Sequence, residues 1–181
     1  MEYSYKFRIY PNAEQRALIQ KTFGCSRFVY NHFLAQRIAE YKATGKAPTR
    51  FQQDKALTVL KQEIDWLREP DKCALQNSLK DLDTAYKNFF RSVKGGGKVG
   101  FPKFKSKRDR HKSYKTNSNI VVFDKHVRLP KLGLVKCHVS KEIEGRILSA
   151  TISQNPSGKY FVALCCTDVE IDPLPSTGAV I

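Results

Sequence analysis

Between Asp71 and Lys94 the apolar residues Leu75, Leu79, Leu82, Tyr86, Phe89 and Val93 recur at alternating steps of four and three. At 3.6 residues per turn this spacing makes a single stripe along an α-helix, widened by Ala74 and Ala85. Lys72, Gln76, Lys80, Asp83, Lys87 and Arg91 fall on a separate, mostly cationic face. Pro70 already has a helical φ, Glu69 or Asp71 can accept from the free N–H groups of the first turn, and Gly95 to Gly97 end the run. Taken alone, such a face fits an ordinary solvated helix surface.

Upstream, Tyr3, Tyr5, Phe7 and Ile9 alternate with polar residues over 2–10, which predicts a half-buried strand with a basic outer face. Asn12 with Gln15 has the spacing of a capping box and opens a helix over 13–23. Gly24 is expected to break it, with Ser26 capping a second helix over 26–43. Thr49 with Gln52 opens a third over 51–67, with Phe51, Leu57, Leu60, Ile64 and Leu67 inward and Trp66 packed beside them. Downstream of Asn117 come short strand patterns, NIVVFD, HVRLP, LGLVKCHV, RILSATISQ and GKYFVALCCTDVEI, separated by turn signals such as Glu144-Gly145 and Asn155-Pro156-Ser157-Gly158. With strand 2–10 joining them, the expectation is an α+β chain: a small antiparallel β-barrel into which a bundle of about four helices is inserted.

Charge changes the picture. The 181 residues hold 32 Lys and Arg against 17 Asp and Glu, a net charge of +15, with a pI near 9.7. Such an excess costs self-repulsion in the folded state and points to a polyanionic partner. It is also concentrated: Lys94 to Lys115 carries nine cations against Asp109 alone. Phe101, Phe104 and Tyr114 are interleaved with them, so the segment combines phosphate-seeking charge with rings that can stack on bases or anchor a loop. The glycines of GGGKVG lack the pattern of a phosphate-cradling P-loop. No apolar run is long enough to span a bilayer, and MEYSYKFRIY lacks the apolar centre of a signal peptide, so no membrane partner is expected.

Enzyme chemistry is harder to find. Cys25, Cys73, Cys137, Cys165 and Cys166 are odd in number and form no C-x-x-C, which argues for a reducing, cytoplasmic compartment with structural thiols. His32, His111, His126 and His138 have no metal-ligand spacing, and no local nucleophile signature is present. Asp168, Glu170 and Asp172 share one strand face and could hold a divalent metal; the plainer reading is a polar strand exit before Pro173.

YKFRIYPN (5–12), FVYNHFLA (28–35), DKCALQNSLKDLDTAYKNFFRSVK (71–94), VGFPKFKSK (99–107) and VRLPKLGLVK (127–136) together resemble the N-terminal half of TnpB/OrfB proteins, the transposon-encoded RNA-guided DNA nucleases related to type V CRISPR effectors. The resemblance implies a wedge barrel, with 1–11 as its first strand, 12–112 an inserted helical recognition domain containing the basic loop 94–112, and 113–172 the rest of the barrel. It implies that 173–181 is a linker toward a RuvC-like nuclease domain that these residues do not contain. The expected partners are a guide RNA and a double-stranded DNA target with a flanking motif, in the cytoplasm at the nucleoid. By the resemblance, Lys72 and Gln76 read the flank with help from Phe51, and Tyr114 and Thr116 lie in a further DNA-contacting stretch. Gln can bond adenine bidentately, Lys can reach guanine or phosphate, and a ring can contact a thymine methyl. Lys6, Arg8, Lys98, Lys103, Lys105, Lys107, Arg108, Arg110 and Lys112 would face RNA or heteroduplex backbone. Mg and Zn are expected only in the remaining half of such a protein, so this chain carries no cofactor and no catalytic residue of its own.

Two rivals make different demands. A helix-turn-helix repressor or transposase accessory protein would act through 13–43 on DNA without RNA. A metal nuclease would use Asp168, Glu170 and Asp172.

Overall fold

A computed structural model describes residues 2–170. It is an α+β arrangement in which three helices intervene in sequence between the first strand and the other six. Strand β1 (Tyr3–Tyr10) buries Tyr5, Phe7 and Ile9 and exposes Ser4, Lys6, Arg8 and Tyr10, as its alternation requires. It pairs antiparallel on both sides, with β7 (Tyr160–Thr167) and β5 (Gly133–His138), and so lies inside the sheet. The others are β2 (Lys112–Thr116), β3 (Val121–Val122), β4 (His126–Leu129) and β6 (Arg146–Gln154). The order is β2-β6-β7-β1-β5-β4-β3.

The sheet is open rather than a closed barrel: among the described residues no ladder joins β2 to β3, and β3 is only two residues long. Strand β2 was missing from the sequence pattern because KSYKT sits in the most basic part of the chain; there Tyr114 and Thr116 turn inward.

The helical part corrects the expectation of about four helices. Residues 13–23 and 26–43 form one helix, α1 (Ala13–Thr44), with the capping box of Asn12 and Gln15 at its start and Gly45 in the left-handed region at its end. Gly24 sits in the middle of it, and Ser26 is no cap. A lone glycine costs a helix about 1 kcal/mol relative to alanine, and the buried residues on both sides outweigh that. Ile19 and Phe23 belong to the sheet core, while Val29, Tyr30, Phe33 and Leu34 belong to a second core among the helices. One helix therefore ties the two cores together.

Helix α2 (Arg50–Glu63) starts at the predicted box of Thr49 and Gln52, but stops four residues early and passes into a 3-10 turn, Asp65–Arg68. Leu57 and Leu67 are buried as expected. Phe51 is not: it is 68% exposed, on the helix's first turn. Trp66 is also largely exposed, with one edge against Phe28.

Helix α3 (Lys72–Lys94) follows the predicted stripe through Leu75, Leu79, Leu82 and Tyr86. Beyond that point it outruns the body, so Phe90 and Val93 are exposed. Asp71 is its N-cap by backbone geometry, yet the carboxylate makes no capping bond. Glu69 pairs instead with Lys21. The linker 173–181 and Asp172 lie outside the described residues.

Candidate nucleic-acid interface

The N-terminus of α3 is fastened to β2 by buried polar bonds. Asp71 Oδ2 accepts from the Thr116 hydroxyl at 2.6 Å, both residues being buried. Asn77 Nδ2 donates to the Lys115 carbonyl at 2.9 Å and to Asn117 Oδ1 at 2.6 Å. Bonds of this kind to a charged or buried partner contribute more than an average surface bond, and leaving one partner unsatisfied costs about 1–3 kcal/mol. The opposite face of the same turns is free. Lys72, Gln76 and Lys80 are exposed, one above another at four-residue intervals, so a polar stripe projects from a helix whose start is fixed.

Farther along α3, Asp83 ends that stripe. Its carboxylate takes Lys87 at 2.9 Å and the buried Arg37 guanidinium at 3.4 Å. Burial pushes the Asp83 carboxyl up, but Lys87 and Arg37 together outweigh it and hold the group below the usual carboxylate range. Arg37 is in turn held by Gln53 Oε1 at 2.7 Å and lies over the Tyr86 ring.

The basic segment after α3 has no helix or strand from Gly95 to His111. It is tacked down at separated points. Asn31 on α1 donates to the Lys105 carbonyl and accepts from its amide, at 2.9 and 2.8 Å. Val99 N donates to Ser92 Oγ, Phe101 packs edge-on to Tyr86 and Phe89, and Lys105 Nζ sits 4.3 Å from the Tyr30 ring centroid. The rings expected either to stack on bases or to anchor the loop thus divide: Phe101 anchors, and Phe104 remains exposed. Lys98, Lys103, Lys105, Lys107, Arg108 and Arg110 are exposed, and Lys112 is half-buried at the start of β2.

Lys6 and Arg8 lie on the outer face of the sheet, the former over the Phe161 ring and the latter over Tyr10. The register adds side chains that the sequence pattern passed over: the cation Lys136 is opposite Tyr10, and the imidazole of His138 is opposite Arg8. Strand alternation was the signal available for them.

Tyr114 and Thr116 require a correction. Both are buried, Tyr114 against Phe23 in the core and Thr116 on Asp71. Inward-facing residues of a strand cannot touch a duplex, so the accessible residues of β2 are Ser113 and the half-buried Lys112 and Lys115. Burial raises the Tyr114 phenol far above its ordinary range, which Asp71 reinforces, and the group stays neutral.

Asp168 faces Arg146 at 3.8 Å, Glu170 is exposed, and among the described residues no cluster of three or more His, Cys, Asp or Glu could hold a metal ion. The five cysteines are free. Among the described residues no helix is long and apolar enough to cross a membrane.

Residues 1–46 match the family model described as a helix-turn-helix domain of the OrfB type of IS605. The chain is 31% identical over 165 residues to "Putative RNA-guided DNA endonuclease InsQ" of Escherichia coli (strain K12), covering 89% of this chain and 39% of that protein. It is 32% identical over 188 residues to "Putative RNA-guided DNA endonuclease" of Streptomyces pristinaespiralis, covering 98% and 44%. Against "Virulence protein VsdF" of Salmonella dublin it is 32% identical over 114 residues, 58% of this chain and 93% of that protein.

The chain belongs to the TnpB/OrfB family.

It spans about two fifths of the length of the two endonuclease relatives. Within this TnpB/OrfB chain, the stretch matched as helix-turn-helix is one strand followed by one unbroken helix, with no turn between Ala13 and Thr44. Docking of a second, separate recognition helix has no counterpart there. The exposed polar stripe belongs to α3, outside the matched residues.

Proposed function

We propose that this part of the TnpB/OrfB chain is a nucleic-acid-binding module that holds a guide RNA and reads a short DNA motif flanking the target. In this reading the seven-stranded sheet is the wedge element, equivalent to a barrel in its role, and α1 to α3 form the recognition element. Lys72 and Gln76 contact base edges, with exposed Phe51 as the apolar partner for a thymine methyl. The segment 98–112 and the outer sheet face with Lys6 and Arg8 take phosphates, which fix orientation without reading sequence. Chemistry on the DNA strand is assigned to other parts of the full-length relatives, and the protein would work at the nucleoid.

The observation that carries the reading is the exposed Lys72, Gln76, Lys80 stripe on a helix whose first turn is bonded, through Asp71 and Asn77, to the sheet. A base-reading side chain needs such fixed support. The test has two parts. Nucleic acid that co-purifies with the chain at moderate salt is sequenced, and a discrete structured RNA mapping beside the chain's own gene is the expected result. The complex is then offered a library of duplexes randomised at the flank. Gln76→Ala should flatten the preference among flanks, while Lys103→Ala should weaken all of them alike. Tight binding of a fixed duplex site with no RNA present would instead favour a DNA-only repressor.

A further inference from the structure

Behind α3, on the side away from Gln76, lies a cleft of about 350 Å³ between α1, α3, β2 and the basic segment. Arg27, Lys105, Arg110, Lys112 and Lys115 bring five cations to it, against the carboxylates of Asp81 and Asp109. Asp109 is partly occupied, accepting from the Ser106 amide at 3.0 Å. None of the five cations forms an ion pair among the described residues. They come from three separate segments, so their mutual repulsion is a feature of the folded chain and is not inherited from one solvated helix face.

A second observation singles out the same place. Ser26 lines the cleft, is only 7% exposed, and its hydroxyl has no hydrogen-bond partner among the described residues. Serine and threonine inside helices ordinarily turn the hydroxyl back to the carbonyl four residues earlier. Thr22, Thr44, Thr58, Ser78 and Thr84 all do so here. Ser26 does not, and an unmade bond at a buried hydroxyl is unfavourable unless a ligand completes it.

We infer that this cleft seats one phosphodiester, with its nucleotide, of the single strand held by the basic segment, Ser26 Oγ donating to a phosphate oxygen and Arg27, Lys105 and Lys115 neutralising its charge. The volume suits one nucleotide. On the helical wheel Ala74, Asn77, Ser78 and Asp81 face the cleft, nearly opposite Lys72 and Gln76, so α3 would separate a phosphate seat on one side from a base-reading face on the other. The inference rests on the proposal that the basic segment meets nucleic acid, and the experiment separates the two.

The 181-residue chain, isotopically labelled, is titrated with a 5′-phosphorylated trinucleotide followed by amide NMR, RNA in one arm and DNA in the other. Saturable shifts centred on Ser26, Arg27 and Ser113 are expected, and the tighter arm identifies the strand. Ser26→Ala should weaken the trinucleotide about tenfold, the usual effect of removing a hydrogen bond to a charged group. Arg27→Gln should weaken it at least as much, and Lys46→Gln, an exposed cation outside both the cleft and the basic segment, should not. Because the Ser26 hydroxyl has no partner among the described residues, the thermal midpoint of Ser26→Ala should not fall, which excludes unfolding as the cause. Shifts spread evenly over 94–115, or a Ser26→Ala variant with wild-type affinity, would overturn the seat. Binding of long RNA or duplex DNA with a silent cleft would overturn it while sparing the proposed function. A cleft that takes the trinucleotide in a chain indifferent to longer nucleic acid would support the seat and break that proposal.

Discussion

Helix α3 and the segment that follows it are both rich in Lys and Arg, yet the fold treats them in opposite ways. The first turns of α3 are held by Thr116 on Asp71 and by Asn77 on β2, and the stripe Lys72, Gln76, Lys80 inherits that rigidity. The segment from Gly95 to His111 has no repeating backbone hydrogen bonds and touches the body at scattered points, Asn31 with Lys105 and Phe101 with Phe89 among them. Reading a base edge demands a donor and acceptor held to within a fraction of an ångström. Neutralising a phosphate demands only that a cation reach it. The same residue types therefore suit different tasks because of what lies beneath them.

The difference breaks most sharply at Asp71. Asp71→Ala should leave the Thr116 hydroxyl buried without a partner and remove an anion from a helix N-terminus, a loss of about 2–3 kcal/mol. Thermal denaturation should show a fall of about 5–10 °C for a chain of this size. If α3 reads because it is fixed, the folded variant should also lose flank preference while its salt-dependent, sequence-blind affinity stays close to wild type. Equal loss of both would mean that the two regions are not distinct. Gln76→Ala comes next: it should cost about 1–3 kcal/mol of discrimination among flanks. The side chain is exposed and no hydrogen bond within the chain involves it among the described residues, so the thermal midpoint should not move.

Much of this contrast was legible in the sequence, for physical reasons that differ by element. The α3 stripe, both capping boxes and the strand turns depend on local periodicity and backbone chemistry, which the chain spells out. Gly24 misled because the cost of one glycine is local, whereas the burial on either side of it, in two different cores, is not. Phe51 and Val93 were placed inward by spacing alone, and spacing cannot tell where a helix outruns the body it packs on. The family resemblance assigns Tyr114 and Thr116 to a DNA-contacting stretch, and only the pairing of β2 with β6 shows which of its residues face the core. Ser26 and Arg27 gave no signal at all: the cleft exists only once α1, α3 and β2 meet.

Asp83 sharpens the comparison from the far end of the stripe, where the body again holds the helix. Asp83→Asn should cost about 1–2 kcal/mol, less than a fully buried pair because Lys87 is exposed and screened. The sign with pH follows from its depressed folded value. The stabilisation is complete above the unfolded carboxyl's 3.8 and is lost as pH falls through the lower folded value. The gap between wild type and variant, measured by urea denaturation, should be constant above about pH 5 and close on further acidification. A gap that widened in acid would mean that Lys87 and Arg37 do not govern Asp83.

The smallest effects belong to the exposed segment, and they are the ones that define it. Lys103→Ala and Lys107→Ala remove cations that form no ion pair among the described residues, so the midpoint of unfolding should be unchanged. Each phosphate contact given up should lower the slope of log affinity against log salt by about 0.9 for duplex or about 0.7 for single strands. The two slopes differ because a duplex condenses more counterions, so the size of the change also reports which kind of strand lies along the segment. The contrast with α3 requires that the flank ranking survive both substitutions together. If it shifted in step with the salt slope, the segment would be reading sequence as well as charge, and rigidity would no longer distinguish the two regions.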